Sequence, residues 1–181
     1  MITSGHIRAT LTDYLDSYPQ DRENLAVAWS LLGLAADLTD RSEARGHLTA
    51  GAVLVNEDGQ VLHVHHRALK RWLLPGGHLE ATDPCLRAAA LRELTEETGI
   101  DRATVTADRT TPIHIDVHPI PANPAKGEPD HQHIDVRFLF RTTADVRHLQ
   151  REEVTAAAWR AVGTIGDPAL RSRVAAAVTR E

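Results

Sequence analysis

Glu93, Glu96 and Glu97 stand within five residues of one another in the segment Arg92-Glu93-Leu94-Thr95-Glu96-Glu97-Thr98-Gly99-Ile100, downstream of a Gly76-Gly77 turn. On a helix, at about 100° per residue, the three carboxylates share one face. Like charges at such spacings repel by roughly a few tenths of a kcal/mol per pair. A segment selected only for helix stability would seldom group them. A hard divalent cation removes the repulsion, since it prefers oxygen ligands of this type. The chemistry indicated is that of a bound cation acting on an anionic group.

The elements that must position these residues are legible on both sides. Asp83 is a plausible helix N-cap with Pro84 at the first helical position, and Leu86, Ala89, Ala90 and Leu94 form the apolar side. Gly99 is the expected left-handed stop. Upstream, residues 48–55 and 61–65 read as strands around the turn Asn56-Glu57-Asp58-Gly59, and Trp72-Leu73-Leu74 leads into Pro75-Gly76-Gly77. Downstream, residues 113–118 and 134–140 alternate as strands, separated by a Pro-, Gly- and charge-rich loop over 119–130. A last strand is expected over 156–161, with Trp159 as a core anchor, and a closing helix over 168–178. Residues 1–45 form a helical extension to a main domain at 46–181. Within the extension, one helix covers 7–17 before Pro19, and a second carries Leu25, Ala28, Leu32 and Ala35. It reads as an accessory hairpin packed on the main domain or on a second copy of the chain in a homodimer.

Composition bounds the function classes. The 181 residues are 42% hydrophobic, enough for a real core, and 20 basic against 25 acidic residues give a net charge of -5. That balance argues against a surface that holds nucleic acid stably, but not against a small phosphorylated substrate. The single Cys85 permits no internal disulfide, so a reducing cytoplasm is the expected compartment. No apolar run approaches the roughly 20 residues of a membrane span, so no membrane partner is expected.

The glycine turn and the Arg-Glu…Glu-Glu-x-Gly-apolar run resemble the box of the Nudix hydrolases, the MutT-like pyrophosphohydrolases. Arg92, Glu93, Leu94, Glu96, Glu97, Gly99 and Ile100 match the second half of the pattern, and Gly76, Gly77 and Glu80 fit its first half. One position departs. The family's first glutamate falls on Asp83 counted from Gly77 and on Pro84 counted back from Arg92, which amounts to a one-residue insertion and a shortened acid. The resemblance implies an α/β/α sandwich on a mixed sheet. It also implies hydrolysis of a pyrophosphate bond in a small nucleotide-type substrate: a nucleoside triphosphate, a nucleotide sugar or an ADP-ribose type compound. Mg²⁺ is the implied cofactor, with Mn²⁺ able to substitute. Glu93, Glu96, Glu97 and the Gly76 carbonyl are its implied ligands, and Arg92 orients a glutamate. The general base is Glu96, or a later acid such as Glu128, Glu152 or Glu153, with Glu153 carried forward beside Glu96, Glu97 and Arg92. A silent sensor of nucleotides is the rival reading; retention of all three glutamates weighs against it.

Other residues fit a substrate cleft less specifically. Arg67, Lys70 and Arg71 suit either a terminal phosphate or a solvated turn. Lys126 and Glu128 occupy the long loop, where substrate choice is usually made. His63-Val64-His65-His66 and His131-Gln132-His133 each place two imidazoles on one strand face. Two such pairs with a carboxylate would suit a zinc ion, but the glutamates already account for a metal, so the histidines are read as lining the cleft, with His131 and His133 favoured, or as plain surface or half-buried side chains.

Overall fold

The computed structural model describes residues 1–124 and 127–179; Lys126 lies outside them. The strands are β1 (Gly46–Val55), β2 (Val61–His66), β3 (Arg71–Leu73), β4 (Gly76–His78), β5 (Val105–Ala107), β6 (His114–Ile120), β7 (His131–Thr142) and β8 (Val154–Arg160). The helices are α1 (Ser4–Ser17), α2 (Ala26–Gly33), α3 (Leu86–Thr98) and α4 (Pro168–Val178). All eight strands join one mixed sheet.

The axis of the sheet is β1, which runs parallel to β7 from Gly46↔Gln132 to Val55↔Arg141. Its opposite edge is shared. β2 meets it at Val55↔Val61, and β4 takes over at Thr49↔His78, Ala50↔Gly77 and Gly51↔Gly76. Alternation then divides β1 between two layers. Leu48, Ala50, Ala52 and Leu54 join Val136, Phe138 and Phe140 of β7 in a core shared with Leu86, Ala89, Ala90 and Leu94 of α3. Val53, Val55 and Leu139 face the other way, onto Leu170, Val174 and Ala177 of α4. The result is an α/β/α sandwich. At the β4 end of this second face, the row continues as His47 and Thr49, which are buried but polar.

The N-terminal helices belong to the α3 side. Ile7, Leu11, Tyr14 and Leu15 of α1 and Ala28, Leu31 and Leu32 of α2 join the same core as the α3 residues. Arg173 of α4 reaches across to them. It donates to Asp21 at 2.8 Å and to the Tyr14 hydroxyl at 2.6 Å, and its guanidinium lies 3.9 Å from the Tyr18 ring centre. Tyr14 in turn donates to Asp21. Removing one partner of a buried pair strands the other charge, so Arg173→Ala is expected to cost about 3 kcal/mol or more in a urea melt. No described helix is long and apolar enough to cross a membrane.

The strands over 113–118 and 134–140 prove longer than their alternation indicates, because β6 and β7 stay paired out to Ile120↔His131. The last strand begins two residues earlier than expected, at Val154. A larger difference concerns the start of α3. Its N-cap is Cys85, without a side-chain cap, and the helix begins at Leu86. Asp83 therefore does not cap it, and Pro84 is not its first residue. The Asp83 carboxylate is committed elsewhere.

Candidate active site

Arg92 is the hub of the site. Its Nε and Nη2 donate to the two oxygens of Asp83 at 3.1 and 3.0 Å, a bidentate pair. Nη1 donates to Glu93 at 3.0 Å and to Glu96 at 2.9 Å, and Nη2 also donates to the His78 carbonyl at 2.9 Å. Asp83 is only 4% exposed and accepts the Glu80 N–H at 2.8 Å, which closes the loop between β4 and α3. The shortened, displaced acid thus fixes the arginine that orients Glu93 and Glu96.

The glutamates differ in depth. Glu97 is buried, Glu93 is nearly so, and the Glu96 side chain is about half exposed at 46%. Glu97 accepts the Gly76 N–H at 3.2 Å. Burial pushes its carboxyl up to about 8; the charges of Glu93, Glu153 and Glu96 add to the shift and the Gly76 N–H opposes it. Glu93 is pushed up to about 7, again first by burial and then by Glu96 and Glu153, against the pull of Arg92. Such crowding of poorly solvated acids has a raised free energy that a cation would lower.

The glycines make this approach possible. Gly76 has φ 154°, and a Cβ there would meet the Ala50 carbonyl oxygen and Gly51 Cα at 2.7 Å. A Cβ on Gly77 would lie 2.7 Å from a Glu93 oxygen. At the other end, Gly99 (φ 64°) terminates α3 in the left-handed conformation.

Glu153 is brought to the cluster by the chain after β7. The Arg147 and Gln150 N–H groups donate to the Thr98 and Glu97 carbonyls at 3.3 and 3.2 Å, so the 147–153 loop satisfies the last carbonyls of α3. Arg67 clamps the same loop. Its backbone N–H donates to the Glu153 carbonyl at 2.7 Å, and its guanidinium donates to the Arg151 carbonyl at 2.9 and 2.6 Å. Arg71 sits exposed on β3, and Glu128 pairs with Arg41 at 3.5 Å.

A histidine-rich patch lies beside the glycine turn, on the face of the sheet turned away from α3. His47 and His133 are register partners on β1 and β7, and His78 lies opposite Thr49, two residues along from His47. His131 stacks on His47 at 4.9 Å, while His133 lies 4.7 Å from it. By contrast, His63 and His65 lie on β2, bonded to the Val61 carbonyl and the Thr155 hydroxyl. The convergence of His47 and His78 with His133 is not visible in the sequence, because it depends on the β1–β7 register and on β4.

Comparison with known proteins bears on the family and the fold. The family profile described as the NUDIX domain matches residues 45–180. A protein of Lactococcus lactis subsp. cremoris named "Probable DHNTP pyrophosphohydrolase" is 36% identical over 93 residues. That match spans about half of each chain, 51% of this one and 52% of the relative. A NUDIX-family hydrolase from Clostridium perfringens superposes with a TM-score of 0.56 at 22% identity, covering 74% of this chain and 96% of that one. The E. coli dihydroneopterin triphosphate pyrophosphohydrolase gives a TM-score of 0.51 at 19% identity, again over 74% and 96%. At these identities the two structures speak for the fold alone. With three quarters of its length matched by the family profile, and the box residues gathered around Arg92, the chain belongs to the Nudix family.

Proposed function

We propose that the chain is a divalent-cation-dependent pyrophosphohydrolase of a small nucleotide-type triphosphate, of which dihydroneopterin triphosphate is the first to test. The observation that carries this reading is the pair of buried, mutually repelling carboxylates, Glu93 and Glu97, beside a glycine turn and half-exposed Glu96. This donor set suits Mg²⁺, which takes oxygen ligands and keeps several waters. Glu93, Glu96 and Glu97 would hold it, with the Gly76 carbonyl as a further oxygen. A bound Mg²⁺ neutralises charge on the pyrophosphate and lowers the pKa of its water.

The protein's own residues supply the rest. Asp83 holds Arg92, and Arg92 holds Glu93 and Glu96 in place. Glu153, whose carbonyl accepts from the Arg67 N–H and whose charge acts on Glu93 and Glu97, would accept a proton from the attacking water, with Glu96 as the other acid within the cluster. The polar row of His131, His133 and Glu128 offers a surface for the substrate beyond its phosphates. The Lactococcus lactis relative, matched over about half of each chain, supports a pteridine-type triphosphate as the first candidate.

The test is incubation with dihydroneopterin triphosphate, nucleoside triphosphates, nucleotide sugars and ADP-ribose, with Mg²⁺ or Mn²⁺, followed by product analysis. Cleavage of one phosphoanhydride that stops with EDTA is expected; no turnover of any compound with either metal would defeat the proposal. A subtler variant is Gly77→Ala. The three nearest atoms to the new methyl all belong to the Glu93 carboxylate, so the strain falls on that side chain and its bond to Arg92, and the stability loss should stay within about 0.5–3 kcal/mol. Displacing Glu93 should nonetheless lower kcat by about tenfold or more, since near-ångström misplacement of an active group is costly.

A further inference from the structure

We propose that His47, His78 and His133 form a second metal site, which takes one Zn²⁺-class ion through three imidazoles. One ring nitrogen from each lies within 4.8 Å of the others. His47 is 3% exposed, and neither of its ring nitrogens has a hydrogen-bond partner among the described residues. The nearby Glu43 carbonyl favours its protonated form without reaching hydrogen-bonding geometry. A buried polar group left unpaired costs about 1–3 kcal/mol, so the arrangement is expensive unless something binds there.

The ring chemistry suits a metal. Neutral imidazole is the form that ligates. Three such ligands suit Zn²⁺, Co²⁺ or Ni²⁺ better than Mg²⁺, which separates this site from the all-oxygen glutamate cluster. A neighbouring group, His118, His133 and Asp135, is also close enough to hold an ion. Two of its members are already committed to other partners. Asp135 accepts from Thr49 and, at 2.6 Å, from Arg137, while His118 bonds Asp116 at 3.1 Å. The ring of His47 has no such partner among the described residues, and the fourth position of a tetrahedral ion would stay open.

The site also adjoins the catalytic machinery. His78 follows Gly76 and Gly77 on β4, and its carbonyl accepts from Arg92. An ion on the His78 ring would therefore immobilise the strand that carries the glycine turn.

The experiment uses the full chain, stripped with a chelator, loaded with Zn²⁺ and desalted. Wild type and Glu97→Gln are expected to retain one Zn²⁺ per chain. Outer partners of metal ligands are worth roughly 10–100-fold in affinity, so His47→Gln and His133→Asn, which remove ligands, should each lose at least about a hundredfold. Co²⁺ loading should give the intense visible absorption of a tetrahedral site in wild type and not in either variant. His133 is only half-buried, so His133→Asn decides the matter if His47→Gln does not fold, with circular dichroism as the check. Zn²⁺ retention no better in wild type than in the histidine variants would overturn the proposal, and is the result that a water trapped against His47 would give. Zn²⁺ binding lost in Glu97→Gln but kept in the histidine variants would overturn it equally.

Discussion

Glu97→Gln is expected to lower kcat by about a hundredfold to a thousandfold while leaving the fold intact, the scale seen when one preorganised electrostatic contact is lost. The substitution is nearly isosteric. Its amide oxygen can still accept the Gly76 N–H, so the glycine turn keeps its anchor. What disappears is a negative charge among Glu93, Glu96 and Glu153, all of which raise the Glu97 carboxyl by repulsion. In EDTA at about pH 8 the variant should therefore melt no lower than wild type, because a repulsive group has gone. Loss of activity with retained stability would mark Glu97 as functional. Near wild-type turnover would show that the cation is held elsewhere.

Arg92→Ala should do the opposite and damage both properties. Arg92 is the partner of a 4% exposed Asp83, of Glu93 and Glu96, and of the His78 carbonyl. Truncation leaves Asp83 charged and buried with no guanidinium, and breaking a buried pair in this way costs about 3–5 kcal/mol. Arg92→Lys is not expected to rescue it. An ammonium cannot reproduce the bidentate fork on Asp83 while also reaching Glu93. Urea denaturation should therefore place both variants well below wild type, with Lys regaining only a small part. A Lys variant as stable and as active as wild type would show that charge alone, and not geometry, matters at this position.

Local pattern carried much of this molecule. Helical spacing put Glu93, Glu96 and Glu97 on one face, alternation found β1, β2, β6 and β7, and Gly99 marked the end of α3. The errors arose where a residue had two possible duties. Asp83 and Pro84 have the grammar of a helix start, yet Arg92, nine residues away, competes for the carboxylate and wins with two charge-assisted bonds. Burial depth was equally illegible. Three identical glutamates give no hint that Glu97 lies beneath the glycine turn while Glu96 reaches solvent. Non-local pairing hid the rest. Arg67 reads as a phosphate ligand or a solvated cation, but its partners are carbonyl groups of the 151–153 loop, and His47 meets His133 across an 86-residue separation closed by the β1–β7 ladder.

The central claim is that the buried glutamates are built to hold a cation, and proton competition tests it. Glu93 and Glu97 have carboxyls raised to about 7 and 8, above the ordinary range that the unfolded chain would show. Between about pH 5 and 8 the folded state therefore keeps protons that the unfolded state has released, and the metal-free protein should lose stability as pH rises. Mg²⁺ needs the ionised form, so its stabilisation should grow through the same window and level off above about pH 8. The measurement is Tm with EDTA and with saturating Mg²⁺ at about pH 5.5 and pH 8. Binding at a hundredfold excess over Kd is worth about 2.7 kcal/mol, so a rise of roughly 5–10 °C is expected at pH 8. Little rise is expected at pH 5.5, and none at either pH in a Glu93→Gln/Glu97→Gln double variant. A Mg²⁺ shift equal at the two pH values, or one that survives in the double variant, would contradict the account.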